Sequence, residues 1–578
     1  MGTQHVTEVD VVVEGGGMLA AYLARGLTAQ GMRVALTGGG GDGLAEFEPT
    51  IPSVSFTAKL LAKAFDVDLF ERLAHVDRLR ESCDEQASPL AGFGFSWMAE
   101  QTAVDPDHWL QLVIPGEHDE SVVRPAAVGA QLVADCPPEL LVDLRPRQVT
   151  TTSTSAGARE LRLDDGRTLR YRLLVRCLLL DPEGAVGADA SQPLMVSGWV
   201  ADERCRPDLS REPLVRDVPW TAGSVLHTFP GGFVRTQPAG PGTHLTVCVD
   251  PTVRPGVTDV AARLVAGERA VVARCLPELA WFDPAQATWE PARLVDTHGP
   301  ARVRSSYDPV ARALHVPLSG SVVHGFALQE ILELAFLVGR AAVASVARSD
   351  GGDELLANVA AAANARLERV REFGRLLLDA TTSWEMSAVF ARLWFAEVMF
   401  SAISIRGVTS HVSLEPHTPA GTTQAEPSGA FYPVVPQVHA VVRTAARAAA
   451  RASRGQDQAG RAAAEVYSAI RASRAFPPIF GFGDPAARTY RLTLGRRLRT
   501  ALWLPTAPRS VHTVLRQYRV LRGGTGERRV AERLGHTGSP PAPSGTPATV
   551  GGPAQGSDAV PAPRPLVADA SATSGSDA

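Results

Sequence analysis

Near its N-terminus the chain reads VDVVVEGGGMLAAYLARGLTAQGMRVALT: an apolar run ending in three glycines, then an amphipathic stretch, then a second apolar run. This pattern predicts strand, turn, helix and strand over residues 9–37, a βαβ unit. Within it, Gly15-Gly16-Gly17-Met18-Leu19-Ala20 fits G-x-G-x-x-G/A. In that position, backbone amides and the first turn of a helix face the place where a dinucleotide pyrophosphate would lie. A glycine turn also lets a helix and a strand pack closely with no ligand at all, and that reading stays open. Two features speak against a bound nucleotide. The carboxylate that holds a ribose is expected about 20 residues further on, but Thr37 is followed by Gly38-Gly39-Gly40-Gly41. Glu14 also puts a negative charge beside the phosphate position, which repels unless the side chain turns away.

At 578 residues, 45% hydrophobic and 20% charged, the chain is large enough for two or three globular domains. Its six cysteines are scattered without a CxxC pair, which suggests neither a zinc site nor a disulfide framework, and a reducing, cytoplasmic setting is expected. No basic segment precedes an apolar run at the start, and the apolar stretch 386–405 is interrupted by Arg392 and Glu397, so neither secretion nor a membrane span is expected. A net charge of −4 implies no bulk attraction to nucleic acid. Only Lys59 and Lys63 are lysines, so any chemistry that needs a lysine amine has two candidates. The histidines show no HxxxH or HExxH spacing, and no metal site is expected.

Short strands broken by turn residues are expected over about 90–300, and helical periodicity over 328–348 and 354–379. A Pro/Thr/Ser-rich connector follows residue 407, and an Ala/Arg-rich helical stretch covers about 438–474. Residues 488–534 hold twelve arginines against two glutamates. The last stretch, 536–578, is almost devoid of bulky apolar residues and is expected to be disordered.

Several segments, in this order and spacing, resemble the flavin-dependent halogenases, closest to the pyrrole/pyrrolnitrin-type enzymes and the tryptophan halogenases. DVVVEGGGMLAAYLARGLTAQGMRVAL resembles the family's FAD-binding opening, and Glu48-Pro49-Thr50-Ile51-Pro52 its G-E-S-T-I-P segment. GFGFSW at 92–97 resembles the F-G-F strand, QLVIPGEHDESVVRPAAVGAQL the arginine helix beyond it, and SWEMSAVFARLWFAEVMF the helical C-terminal domain. GGFVRTQP at 231–238 stands where the family has W-x-W-x-I-P. The resemblance covers about residues 8–405.

It implies an α/β FAD-dependent monooxygenase/halogenase-like fold: a discontinuous dinucleotide-binding domain, an inserted β-rich substrate domain and a helical C-terminal extension. The expected division is 1–345 for the FAD-monooxygenase-like module, with a dinucleotide part at about 8–50, 120–190 and 300–345 and a substrate part at about 51–119 and 191–299. A helical domain at 346–475, an Arg-rich helical extension at 476–535 and the tail at 536–578 follow. The resemblance also implies FAD as the cofactor, with Gly15, Gly16, Gly17, Ala20, Thr50, Ile51 and Pro52 as its binding residues. In the family, reduced FAD and oxygen turn halide into hypohalous acid, which a lysine delivers to an electron-rich aromatic substrate.

Carried over by position, that lysine falls on Leu90, the two tryptophans on Phe233 and Arg235, and the isoleucine on Gln237. The family's F-I-D-P-L-F-S segment becomes residues 322–328 and loses its Asp-Pro pair, with His324 in the aspartate's place. The D-A-S-G strand end keeps only Asp181 and Gly184. Glu48 is read either as lining the old active-site mouth or as capping the next helix, and His324 either as an acid–base group or as a hydrogen-bonded structural residue.

The expected function is therefore a halogenase-like protein of bacterial natural-product biosynthesis that has lost halogenation and acts as an accessory, substrate-binding or non-redox tailoring protein. The alternative is an active FAD-dependent halogenase or monooxygenase acting on an aromatic or carrier-protein-bound intermediate. Expected partners are a small aromatic or carrier-bound substrate, an acidic carrier protein at the arginine-rich segment, around Arg496, Arg497 and Arg499, and a flavin reductase if the enzyme is active.

Overall fold

The computed structural model describes residues 6–38, 51–52, 65, 67, 76–82, 87–90, 92–98, 108–113, 121–145, 147, 149–155, 158–177, 193–201, 223–240, 242–254, 260–289, 293–294, 304–316, 327–347, 352–411, 436–488 and 494–512. The glycine motif does open a βαβ unit: strand Val11–Glu14, helix Gly17–Ala29 and strand Val34–Thr37. Val11, Val12 and Val13 are all fully buried, which is why this strand reads as a continuous apolar run rather than an alternating one.

It lies inside a six-stranded sheet in the order Ser306–Asp308, Ala313–His315, Leu173–Arg176, Val11–Glu14, Val34–Thr37, Leu141–Leu144. The last five are mutually parallel, and only the first pairs antiparallel. One face, through Val11, Val13, Leu36 and Leu314, packs on the helices Gly17–Ala29, Pro125–Ala134 and Ala327–Ala347. The other, through Val12, Ala35, Leu174 and Ala313, packs on a four-stranded sheet that includes Val149–Ser155 and Ala158–Leu163. From the central strand Val11–Glu14 the chain first builds outwards on one side, then returns to add Leu173–Arg176 and Ala313–His315 on the other. The strand order therefore reverses between Val11–Glu14 and Leu173–Arg176, and the crevice outside the carboxyl ends of such strands is where doubly wound sheets bind ligands.

A second sheet of eight strands supplies the β-rich region, with Leu194–Val200, Gly242–Val249, Gly232–Ala239, Gly223–Phe229, Gly92–Trp97 and Trp109–Val113 running in that spatial order. Side chains alternate across it. Val196, Val234, Leu245 and Val247 face the short helices Val260–Val265 and Arg269–Cys275, two helices inside a stretch expected to be strands. Phe95, Met195, Leu226, Phe233 and Cys248 face the C-terminal helices.

Those helices are Asp353–Ala380, Trp384–His411, Pro436–Ser453 and Ala459–Ser473. Trp394 stacks edge-on against Phe93 and Phe95 at 5.1 and 5.3 Å between ring centroids, tying the second of these helices to the sheet. Arg392, which interrupts the apolar run of that helix, is only 1% exposed. Its guanidinium donates to the carbonyls of Ala388, Pro485 and Ala487 at 2.9, 3.1 and 2.7 Å and lies over the Tyr467 ring. The charge thus clamps a returning loop. Among the described residues, no helix is long and apolar enough to cross a membrane.

Candidate functional site

The glycine turn leaves the carboxyl end of the central strand at the point where the strand order reverses. Gly15 has φ +139° and Gly17 φ +85°, conformations open to glycine and strained for other residues. A Cβ on Gly15 would also collide with the Cys177 carbonyl, and one on Gly38 would lie 2.6 Å from the Gly15 nitrogen. Part of the glycine requirement is thus backbone packing, as the ligand-free reading anticipates. Gly16 is the N-cap of the helix Gly17–Ala29 and makes no side-chain cap bond, and no acid occupies the first turn. The amides of that turn are not satisfied by a capping side chain, which is the electrostatic condition for a phosphate at a helix N-terminus. Ala20, in the same helix, is buried at 1% exposure.

Glu14 has a cationic partner that the sequence does not announce. Its Oε2 lies 2.6 Å from Nε of Arg176, its register partner on the neighbouring strand. The repulsion expected of Glu14 is therefore met by a paired cation. Burial pushes the Glu14 carboxyl up from the ordinary carboxylate range, against the pull of Arg176. His315 stands next to Arg176 in register on the following strand, and burial and the guanidinium together push its imidazole down. Thr37, on the other side of Glu14, is fully buried, and its Oγ1 has no hydrogen-bond partner among the described residues. A row Thr37, Glu14, Arg176, His315 thus runs across the carboxyl edge of the parallel sheet. The turn and helix start fit the pyrophosphate of FAD, whereas positions 37 and 38 offer its ribose no carboxylate.

A three-stranded sheet joins the two larger ones. Ile51–Pro52 and Ser88–Pro89 both pair with Ser121–Val123, with Ile51 opposite Val123 and Pro52 opposite Val122. The strand Gly232–Ala239 packs against the second and third of these. Leu90 follows directly and is 3% exposed. This brings Ile51 and Pro52, Leu90 and the strand Gly232–Ala239 into one neighbourhood. Glu48, Thr50, Lys59, Lys63, Asp181, Gly184 and His324 lie outside the described residues.

In the strand Gly232–Ala239, called the signature strand for its resemblance to W-x-W-x-I-P, Phe233, Arg235 and Gln237 alternate onto the face that meets the C-terminal helices, and all three are buried. Arg235 Nη2 donates to Oγ1 of Thr246 at 3.3 Å, and Nε2 of Gln237 donates to Oγ of Ser224 at 3.2 Å. On the adjacent strand, His244 stands opposite Gln237 and is 1% exposed. Neither ring nitrogen of His244 has a hydrogen-bond partner among the described residues. Burial, helped by the Arg235 charge, pushes its pKa down to about 3, so the ring is neutral, with one donor and one acceptor, near neutral pH. Sequence reasoning singled out Arg235 and Gln237 as departures but passed over His244 and Arg176. The signals were there: a histidine inside the strand GTHLTVCV, and an arginine closing the apolar LLVR. Among the described residues, no group of His, Cys, Asp or Glu side chains could hold a metal ion.

No family model and no curated protein matches the chain. Solved structures do. The halogenase PltM in complex with phloroglucinol and FAD aligns with a TM-score of 0.65 at 13% identity, over 83% of this chain and 99% of that one. A second structure of halogenase PltM gives 0.65 at 14% identity, and its complex with ethyl mercury and mercury gives 0.64 at 14%, each over 83% of this chain and 99% of PltM. At such identities the likeness is one of fold. The chain has an α/β flavin-dependent-halogenase-like fold.

Proposed function

We propose that this chain is a halogenase-like protein of bacterial natural-product biosynthesis that no longer halogenates, and that it binds a small aromatic or carrier-tethered substrate on the face of its larger sheet. The observation that carries this reading is the chemistry of that face and its border: a buried Leu90 where the resemblance puts the lysine, and Arg235 and Gln237 in the signature strand. An aliphatic side chain neither hydrogen-bonds hypohalous acid nor forms a chloramine with it. A guanidinium and an amide in place of apolar or aromatic groups favour a substrate carrying an anionic or strongly polar group. Neutral His244, beside them, supplies one further donor and one acceptor. The division into a dinucleotide part, an inserted β-rich part and helical extensions, with the boundaries given above, belongs to the same proposal.

FAD, when bound, supplies redox chemistry; the Gly15–Gly17 turn and the first turn of the following helix would hold its pyrophosphate, and the resemblance adds Thr50, Ile51 and Pro52 to its binding residues. The uncapped helix start is the observation that favours the second reading, an active FAD-dependent halogenase or monooxygenase served by a flavin reductase. The visible spectrum of the purified protein with added FAD separates the readings at the cofactor, and product analysis with reduced flavin and chloride separates them at the chemistry. Under the first reading, Arg235→Leu weakens binding of an anionic aromatic probe such as a hydroxybenzoate without affecting its neutral phenol analogue. Equal loss for both, or for neither, contradicts a role for Arg235 in recognising the substrate's charge.

A further inference from the structure

The short helix Leu494–Trp503, in the arginine-rich segment, has two unlike sides. Trp503 Nε1 donates to the Arg474 carbonyl at 2.9 Å, and a Cβ added to Gly481 would lie 3.2 Å from Nη2 of Arg496, so Arg496 and Trp503 mark the side that lies on the protein. At about 100° per residue, Leu494, Leu498 and Leu502 fall within a sector of about 80° that points the opposite way. They are 75%, 59% and 78% exposed. Single exposed leucines are ordinary, but three in line on one helix are not. Arg497 and Arg499 are exposed and stand on either border of this sector, about 60° beyond its two edges.

We propose that this helix is an interfacial anchor for an anionic lipid surface, lying in the headgroup plane with its three leucines inserted and Arg497 and Arg499 reaching the phosphates. The charge pattern selects this occupant. Arginines border the leucine ridge on both sides, as a flat anionic surface on either flank of the helix demands. Twelve arginines against two glutamates over residues 488–534 extend the same sign of charge along the chain, which adds long-range attraction to an anionic leaflet. The described helices are all unsuited to spanning, so the contact is peripheral.

The test is co-sedimentation of the full chain with vesicles of phosphatidylcholine alone and of phosphatidylcholine with phosphatidylserine. We expect binding to the anionic vesicles about tenfold or more above the neutral ones, weakening with salt. The variant Leu494→Ser/Leu498→Ser/Leu502→Ser should lose this binding with an unchanged circular dichroism spectrum, and Arg497→Gln/Arg499→Gln should lose most of it while keeping weak binding at low salt. If the leucine variant does not fold, the arginine variant and the salt series decide alone. Four outcomes overturn the proposal: no preference for anionic vesicles, anionic binding that ignores the leucines, a leucine-dependent dimer in solution without vesicle binding, or leucine-dependent capture of an acidic carrier protein without vesicle binding.

Discussion

Glu14 and Arg176 face each other across neighbouring strands at the carboxyl edge of the parallel sheet. The pair is mostly buried, with side-chain exposures of 16% and 24%, so its attraction is weakly screened while its desolvation is expensive. Because burial raises the folded-state pKa of Glu14, the folded protein holds a proton there at pH values where the unfolded chain has lost it. Its contribution to stability therefore declines as pH rises through the interval above the ordinary carboxylate range. Arg176→Met removes the opposing attraction; we expect a loss of about 3–5 kcal/mol at neutral pH, shrinking toward acid, measured by urea denaturation at a series of pH values. His244 has the opposite sign. Its pKa falls to about 3, so the unfolded chain takes up a proton that the folded one refuses, and stability is lost as pH drops through the ordinary histidine range toward 3. His244→Gln should flatten that acid slope by roughly 4 kcal/mol over the interval, as read by the same denaturation series.

At the scale of elements, the glycine turn and the signature strand were legible because each is local: a spacing fixes a conformation, and alternation fixes a face. What faced that strand was not legible, because the contacts between its Phe233 and the C-terminal helices cross more than a hundred residues of sequence. Arg392 illustrates the same limit. Its charge argued against a membrane helix, but its four carbonyl acceptors come partly from residues 484, 485 and 487, which no periodicity could pair with it. Arg392→Met should cost about 3–5 kcal/mol, seen as a lowered melting temperature, because buried carbonyls are left without a donor. Gly15→Ala must both occupy φ +139° and displace the Cys177 carbonyl, so a loss of about 2–4 kcal/mol and weakened flavin binding are expected in calorimetry and flavin fluorescence.

Across the whole molecule, what is shared with the halogenase structures is the fold. The order of the motifs carried the fold from sequence to structure, and 83% of the chain aligns with a halogenase at 13% identity. Of the proposed site, the sequence points to Leu90, Arg235 and Gln237, whereas His244 stands beside Gln237 only through strand pairing, which no local pattern announces. Under the proposed reading several positions depart together from a halogenase site, so one change should not confer the activity: Leu90→Lys is expected to yield no chlorinated product. The most direct measurement is mass spectrometry of a panel of electron-rich phenols and pyrroles incubated with the purified chain, FAD, a flavin reductase and chloride. The account predicts unchanged substrate masses throughout. A chlorinated product formed by the unmodified chain would contradict it.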